Sequence, residues 1–90
     1  MNPEIKIDKL IDVIAVFKSE GGRLKCQPHR LRFDGKDIVI TELGFVHPTT
    51  KGQRMLHVFD VSDGTSDYRL EFDAESLQWR LISMIEGANR

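Results

Sequence analysis

The single cysteine and the three histidines are the side chains that could ligate a transition metal. Cys26 and His29 have the spacing of half a zinc finger, and His47 and His57 could add two ligands. A structural zinc site needs four ligands that converge in a tetrahedron. In a regular strand Cys26 and His29 project to opposite faces, and the pattern places His29 and His57 among apolar neighbours. We therefore expect no metal site and no cofactor.

Three aspartates, Asp60, Asp63 and Asp67, gather around one predicted turn. Their spacing lacks the alternation through a twelve-residue loop ending in glutamate that defines an EF-hand. In the predicted hairpin Asp60 lies directly opposite Asp67, which is unfavourable unless water or a cation intervenes. We expect a solvated turn rather than a calcium site.

Catalytic motifs are not found in the sequence. Gly21-Gly22 is not followed by the Gly-Lys-Ser/Thr ending of a phosphate loop, and the serines lack the context of a nucleophile elbow. Cys26 and His29 are close in sequence, but a nucleophile needs a base that is oriented by a third group. We expect the protein not to be an enzyme.

Arginines form a candidate binding face on the charged sides of the predicted strands: Arg30, Arg32, Arg69 and Arg80. Small barrels bind nucleic acids through such faces when aromatic side chains are there to stack on the bases. Here the aromatic residues fall on the inward face, and the formal net charge of -1 gives no general attraction for phosphate. We expect nucleic-acid binding to be weak.

The strongest structural signal is a hairpin at Asp63-Gly64, a pair that suits a two-residue type I′ turn. This turn would pair residues on one largely apolar face: Phe59 with Tyr68, His57 with Leu70, and Met55 with Phe72. The opposite face would be largely charged. Trp79 is expected to join Phe59, Tyr68, Leu70 and Phe72 in one core.

Two further hairpins are predicted at Asp34-Gly35 and Gly21-Gly22. The first places Leu31 opposite Ile38, His29 opposite Ile40 and Arg32 opposite Asp37. The second places Phe17 opposite Cys26, but regular alternation would then put Phe17 on the face of Arg30 and Arg32. A bulge near Gln27-Pro28 would remove this conflict, because proline cannot donate to a ladder.

Residues 3–20 and 74–86 fit either a helix or a strand. The first stretch has apolar residues at helical spacing, with Asn2 as cap and Gly21 as stop. Its many β-branched residues favour a strand over 10–18, and the structure of the extension 1–9 stays open. For the C-terminal run we predict a strand with Leu77, Trp79 and Leu81 inward, followed by a frayed tail at 87–90.

Six short strands joined by hairpins predict an all-β antiparallel domain, either a small barrel or a strongly curled sheet. An N-terminal helix is the alternative for the first segment. The sequence resembles a group of short bacterial all-β proteins, a domain of unknown function. Four features carry the resemblance: Pro-His-Arg-Leu-Arg-Phe-Asp-Gly at 28–35, the Ile-Val-Ile strand at 38–40, Tyr-x-Leu-x-Phe-Asp at 68–73, and Trp79. The resemblance covers residues ~11–82 and implies the fold, with no named activity.

Composition sets the remaining expectations. Ninety residues predict a single domain, 1–90, and 40% hydrophobic with 30% charged residues are typical of a globular chain. One cysteine allows no intrachain disulfide. No apolar stretch has the length of a membrane helix and the N-terminus lacks a signal-peptide layout, so we expect a cytoplasmic location and no membrane partner.

These features favour a non-enzymatic binding or interaction module whose partner is a protein or a second copy of the chain. A nucleic-acid binder that uses the arginine face is the alternative, and a small enzyme ranks third. Two predicted strands have apolar residues on both faces, so some of these side chains should point outward, where a homodimer could bury them. The candidates for this self-association are Val39 and Leu43, or Ile82 and Met84. A helical N-terminal segment that covers this patch is the competing interpretation.

Overall fold

The computed structural model describes residues 2–87, which form one antiparallel sheet of seven strands. Along the chain these are β1 (Ile5–Glu20), β2 (Arg23–Phe33), β3 (Lys36–Val39), β4 (Glu42–Lys51), β5 (Arg54–Ser62), β6 (Asp67–Asp73) and β7 (Gln78–Ile85). Their order in the sheet is β3-β2-β1-β7-β6-β5-β4. The predicted all-β class and the strongly curled sheet are confirmed, with one strand more than expected. In this part of the chain there is no helix long and apolar enough to cross a membrane.

The additional strand is β4, which continues through Pro48 to Lys51, although a proline followed by short polar residues is typical of a turn. Its register with β5 runs from Glu42 opposite Ser62 to Lys51 opposite Arg54. Proline is tolerated in a strand at the edge of a sheet, and β4 is such an edge strand. The turn is therefore confined to Gly52 and Gln53, where the positive φ of Gly52 (62°) suits a tight reversal.

The long strand β1 belongs to two layers. Its residues 5–11 pair with β7, whereas residues 12–20 pair with β2. The ring centroid of Phe17 lies 6.1 Å from that of Phe72 on β6, so the β1–β2–β3 layer folds over the β7–β6–β5–β4 layer. The choice left open for residues 3–20 is settled in favour of a strand from Ile5 onward, and residues 2–20 contain no helix that covers the sheet.

A two-residue corner joins the two edge strands. The backbone N–H of Ile40 donates to the carbonyl of His29 on β2 at 2.9 Å, and the N–H of Thr41 donates to the carbonyl of Ser62 on β5 at 2.8 Å. The edges of the sheet therefore meet at this corner, which curls the sheet into a half-barrel. Beyond the corner no ladder joins β2 to β4 among residues 2–87, so the half-barrel stays open there.

The core lies between the layers around Trp79. Its ring centroid is 5.2 Å from that of Phe59 and 4.7 Å from that of Phe72. Tyr68 and Leu70 belong to the same buried cluster, so the predicted core is confirmed. Leu77 was expected to point inward, which is wrong. It is 72% exposed and has φ of +60° in the turn before β7.

The β5–β6 hairpin has the predicted faces but a different register. Val61, not Phe59, lies opposite Tyr68, and Asp60 lies opposite Arg69 rather than Asp67. The loop contains four residues because the Asp63 carboxylate accepts the N–H groups of Thr65 (2.8 Å) and Ser66 (2.7 Å). A shift of two residues keeps each side chain on its face and replaces an Asp–Asp pair by an ion pair.

The other two hairpins have the predicted registers. Leu31 lies opposite Ile38 and Arg32 opposite Asp37, while Phe17 lies opposite Cys26. The ladder shifts where Ala15 pairs with Pro28 but Ile14 pairs with Arg30. This bulge confirms the expected irregularity and returns the arginines to the outer surface. The tail expected to fray, 87–90, lies outside the described residues except for Gly87.

Candidate binding groove

An apolar groove of about 550 Å³ lies between the two layers, at the open side of the half-barrel. Apolar side chains from both layers form most of its lining, and Lys25, Gln27 and His57 are its polar members. The volume falls within the usual range for ligand sites, which are concave and mostly apolar with a few polar groups. The lining residues are Phe17, Leu24, Lys25, Cys26, Gln27, Leu43, Val46, His57, Phe59, Phe72 and Ala74.

The upper wall of the groove comes from the β1–β2 hairpin. Phe17 opposes Cys26 and Leu24 opposes Ser19, so alternation turns all four toward the facing layer. Phe17 is nevertheless 52% exposed and Leu24 71% exposed, because β3 ends at Val39 and no other strand within residues 2–87 pairs with this part of β2 on its second edge.

The lower wall and the floor come from β4, β5 and β6. Leu43 and Val46 pair with Val61 and Phe59, and the register shifts between them. At this shift β4 passes close to β5, since a Cβ on Gly44 would lie 3.0 Å from the carbonyl oxygen of Asp60. Phe59 and Phe72 are buried, which gives the groove an aromatic floor that continues into the core.

The rim of the groove is basic along the β1–β2 hairpin. Lys18 lies opposite Lys25 and Glu20 opposite Arg23, so three cations face one carboxylate. Glu20 forms an ion pair with Lys25 at 3.0 Å, and this contact lowers the pKa of the Glu20 carboxyl. Two like charges directly opposite one another are unfavourable, so this rim favours an anionic neighbour.

The cysteine in the groove is not an activated nucleophile. Burial raises the pKa of the Cys26 thiol, which keeps it mainly in the less reactive protonated form. The expected inward position of His29 is wrong, because His29 is the extra residue at the β2 bulge and is exposed. His57 lines the groove, while His47 packs against Phe45 with ring centroids 5.1 Å apart and the rings tilted by 41°. Among residues 2–87 no group of three or more His, Cys, Asp or Glu side chains could hold a metal ion.

The four arginines of the candidate face are divided between the two layers. Arg32 pairs with Asp37 at 3.0 Å, and Arg80 pairs with Asp8 at 3.2 Å. Arg69 makes two hydrogen bonds to the Asp60 carboxylate, at 2.8 and 3.1 Å. Arg30 lies between Ile14 and Val39 on the outer surface. These arginines do not form one continuous face, and three of them already pair with an aspartate.

The residues considered for self-association are dispersed as well. Val39 is exposed beside Arg30 on the outer surface, but Leu43 belongs to the groove wall. Ile82 lies at the shift in the β6–β7 ladder, and Met84 packs against the core. The expectation that Met84 points outward is wrong, because this shift reverses the alternation after Leu81.

A second depression, of about 480 Å³, lies over β5, β6 and β7 and is lined by charged, polar and apolar residues. Ser83 donates to Glu4 at 2.6 Å, and Arg69 holds Asp60. At its edge Tyr68 donates to Asp63 at 2.9 Å. Burial and this bond raise the pKa of Tyr68 to about 12. Arg69 already binds Asp60, and Glu4 already binds Ser83, so the apolar groove is the stronger candidate site.

Comparisons with protein-family models, with curated proteins and with solved structures found no match to this chain.

Proposed function

We propose that the protein is an interaction module that binds an apolar segment of a partner protein in the groove between its two layers. The observation that carries this proposal is the exposure of Phe17 and Leu24 on the inner side of the β1–β2 hairpin. Apolar side chains that face a concave, unfilled space gain free energy when a partner covers them, by about 25 cal/mol per Å².

Two further observations support binding over the alternatives. The aromatic floor belongs to the buried core, so the groove is formed by the fold itself and is present before a partner arrives. The arginines proposed for nucleic acid are largely neutralised by Asp8, Asp37 and Asp60, which weakens the phosphate attraction that such binding requires.

A fluorescent apolar anion, anilinonaphthalene sulfonate, is a suitable probe for the groove. We expect the folded protein to bind the dye and raise its fluorescence. The substitution Leu24→Asp puts a charge on the upper wall and should abolish this signal. Because Leu24 is 71% exposed, its replacement should leave the fold intact.

The matched control is Leu10→Asp, which places the same charge at a leucine outside the groove that is also more than half exposed (54%). This variant should bind the dye as the parent does. Equal dye binding by Leu10→Asp and Leu24→Asp would contradict the proposal, as would an absence of dye binding by the parent.

A second copy of the chain is the competing occupant of the groove. Light scattering at tens of micromolar distinguishes the two. A mass near 10.3 kDa leaves the groove available to another protein. A mass near twice that value, reduced by Leu24→Asp but not by Leu10→Asp, would assign the groove to self-association instead.

A further inference from the structure

We propose that the groove binds its partner by strand addition: an extended peptide pairs with the free edge of β2 and presents apolar side chains that alternate with acidic ones. This inference rests on the proposed function and specifies the chemical class of the partner segment.

The free edge of β2 is the first observation. One edge of β2 is paired with β1. On the other, β3 pairs with Arg30–Phe33, and Ile40 adds one bond to His29. Within residues 2–87, no strand pairs with this second edge over 23–27. At the usual rise of a strand this stretch is about 17 Å long, enough for five residues of a peptide in the position that a longer β3 would occupy.

β4 has the other open edge at the groove, but it is a poorer template. Its ladder shifts between Leu43 and Val46, and Pro48 cannot donate a hydrogen bond. Bulges and prolines are the devices that block pairing at an exposed edge. The stretch 23–27 of β2 contains neither, so the added strand is assigned to β2.

The side chains of β2 specify those of the peptide. Alternate residues of an added strand would point into the groove beside Leu24 and Cys26, where Phe59 and Phe72 form the floor. The residues between them would lie beside Arg23 and Lys25 on the outer side. Opposite charges on adjacent strands attract, and the basic rim has one carboxylate for three cations. A peptide with alternating apolar and acidic residues therefore matches both the apolar inner side and the basic outer side of β2.

The experiment uses three blocked peptides on the full chain. The first is Val-Glu-Val-Glu-Val-Glu-Val, the second replaces each glutamate by lysine, and the third is the glutamate peptide with alternate backbone nitrogens methylated on its pairing edge. Binding is measured by fluorescence anisotropy of labelled peptides, and backbone pairing by amide hydrogen exchange over 23–27. We expect the glutamate peptide to bind and to slow this exchange.

The two comparison peptides test charge and backbone pairing separately. Reversed charges should weaken binding about tenfold, and lost backbone hydrogen bonds should weaken it about tenfold as well. In a variant with both Arg23→Glu and Lys25→Glu, the lysine peptide should become the better ligand. The control Arg30→Glu, outside the groove, should keep the preference for glutamate.

Equal binding of the methylated peptide, or unchanged exchange at 23–27 on binding, would overturn strand addition. A preference for the lysine peptide in the parent would overturn the proposal that the partner segment is acidic.

The dye separates the failure of this proposal from the failure of the proposed function. If no peptide binds while dye binding is still abolished by Leu24→Asp, the groove remains a binding site and strand addition is wrong. If neither the peptides nor the dye bind, both proposals fail. A dimer whose amide hydrogens at 23–27 are already protected from exchange without peptide would assign this edge to a second copy. That result would overturn the proposal that a peptide binds there.

Discussion

The inner faces of β6 and of the β1–β2 hairpin have the same alternating pattern but different surroundings. Leu70 on β6 has no exposed surface, whereas Leu24 on β2 is 71% exposed. Both side chains point toward the space between the layers. Leu70 lies where strands flank it on both sides, and Leu24 lies where β3 has ended. Apolar alternation therefore indicates which way a side chain points, and the neighbouring strands decide whether it is part of the core or of a binding groove.

The largest difference is expected when the same substitution is made at both positions. Leu70→Ala should cost about 2–5 kcal/mol, because it leaves a cavity in a closed core. Leu24→Ala should change the free energy of unfolding by less than about 0.5 kcal/mol, since the side chain is already largely in water. Chemical denaturation followed by the fluorescence of Trp79, the only tryptophan, measures both. Similar losses would mean that Leu24 is part of the core.

The next largest loss of folding free energy is expected from a substitution of Asp63 in the loop between β5 and β6. Asp63→Ala removes the acceptor for Thr65, Ser66 and Tyr68. It should cost about 1–3 kcal/mol, because Ser66 and Tyr68 are buried donors that lose a charged partner. Burial acts to raise the pKa of Asp63, but the hydrogen bonds from Ser66, Thr65 and Tyr68 outweigh it and lower that pKa. A lowered folded-state pKa means that the stabilisation is present at neutral pH and is lost as the pH falls through that pKa. The free energy of unfolding should therefore fall less steeply with decreasing pH in Asp63→Ala than in the parent, as measured by denaturation at a series of acidic pH values. The same pH dependence in both proteins would contradict the role of Asp63.

The hydroxyl of Tyr68 gives a matching prediction at high pH. Its pKa is raised from 10.0 to about 12, so the folded state favours the neutral form. The resulting stabilisation is present below pH 10 and is lost as the pH rises through about 12. The chain has one tyrosine, so the ultraviolet absorbance of tyrosinate reports on this residue alone. Asp63→Asn should lower the midpoint part of the way toward 10.0; an unchanged midpoint would exclude the contact.

The smallest expected effect is a gain of stability in the turn before β7. Leu77 has φ of +60°, a conformation that costs a non-glycine residue roughly 1 kcal/mol. Leu77→Gly should therefore raise the free energy of unfolding by up to about 1 kcal/mol, as measured by denaturation. Leu10→Gly is the control, since Leu10 is a similarly exposed leucine within β1, and it should be destabilising.

The faces of most strand residues could be predicted from the sequence, because alternation together with Asp-Gly and Gly-Gly turns determines which side chains share a side. The faces of His29 and Met84 were predicted wrongly, because a bulge at or beside each of them reverses the alternation. The β5–β6 register could not, since Asp63-Gly64 is compatible with a two-residue turn and only the hydrogen bonds of the Asp63 carboxylate select the four-residue loop. The strand β4 was missed because proline in a short polar stretch also has the signature of a turn.

The groove was missed for a different reason. Phe17 and Cys26 were correctly paired, but exposure depends on where β3 ends and on the corner at Ile40 and Thr41, and neither is a property of a single hairpin. The one signal in the sequence is the length of the first hairpin. Its inner face continues to Leu24, beyond the part of β2 that the short segment after Asp34-Gly35 could cover.

The most direct test of an open groove between the layers is the reactivity of Cys26, the only thiol in the chain. Cys26 lines the groove beside Phe17 and Leu24, so dithiobis(nitrobenzoate) should react with it in the folded protein. The reaction should be slower than that of a free thiol, because burial raises the pKa of Cys26. Saturating anilinonaphthalene sulfonate should slow it further in the parent and in Leu10→Asp, but not in Leu24→Asp. A thiol that reacts only after unfolding, or at the same rate with the dye bound, would contradict an open groove that receives an apolar ligand.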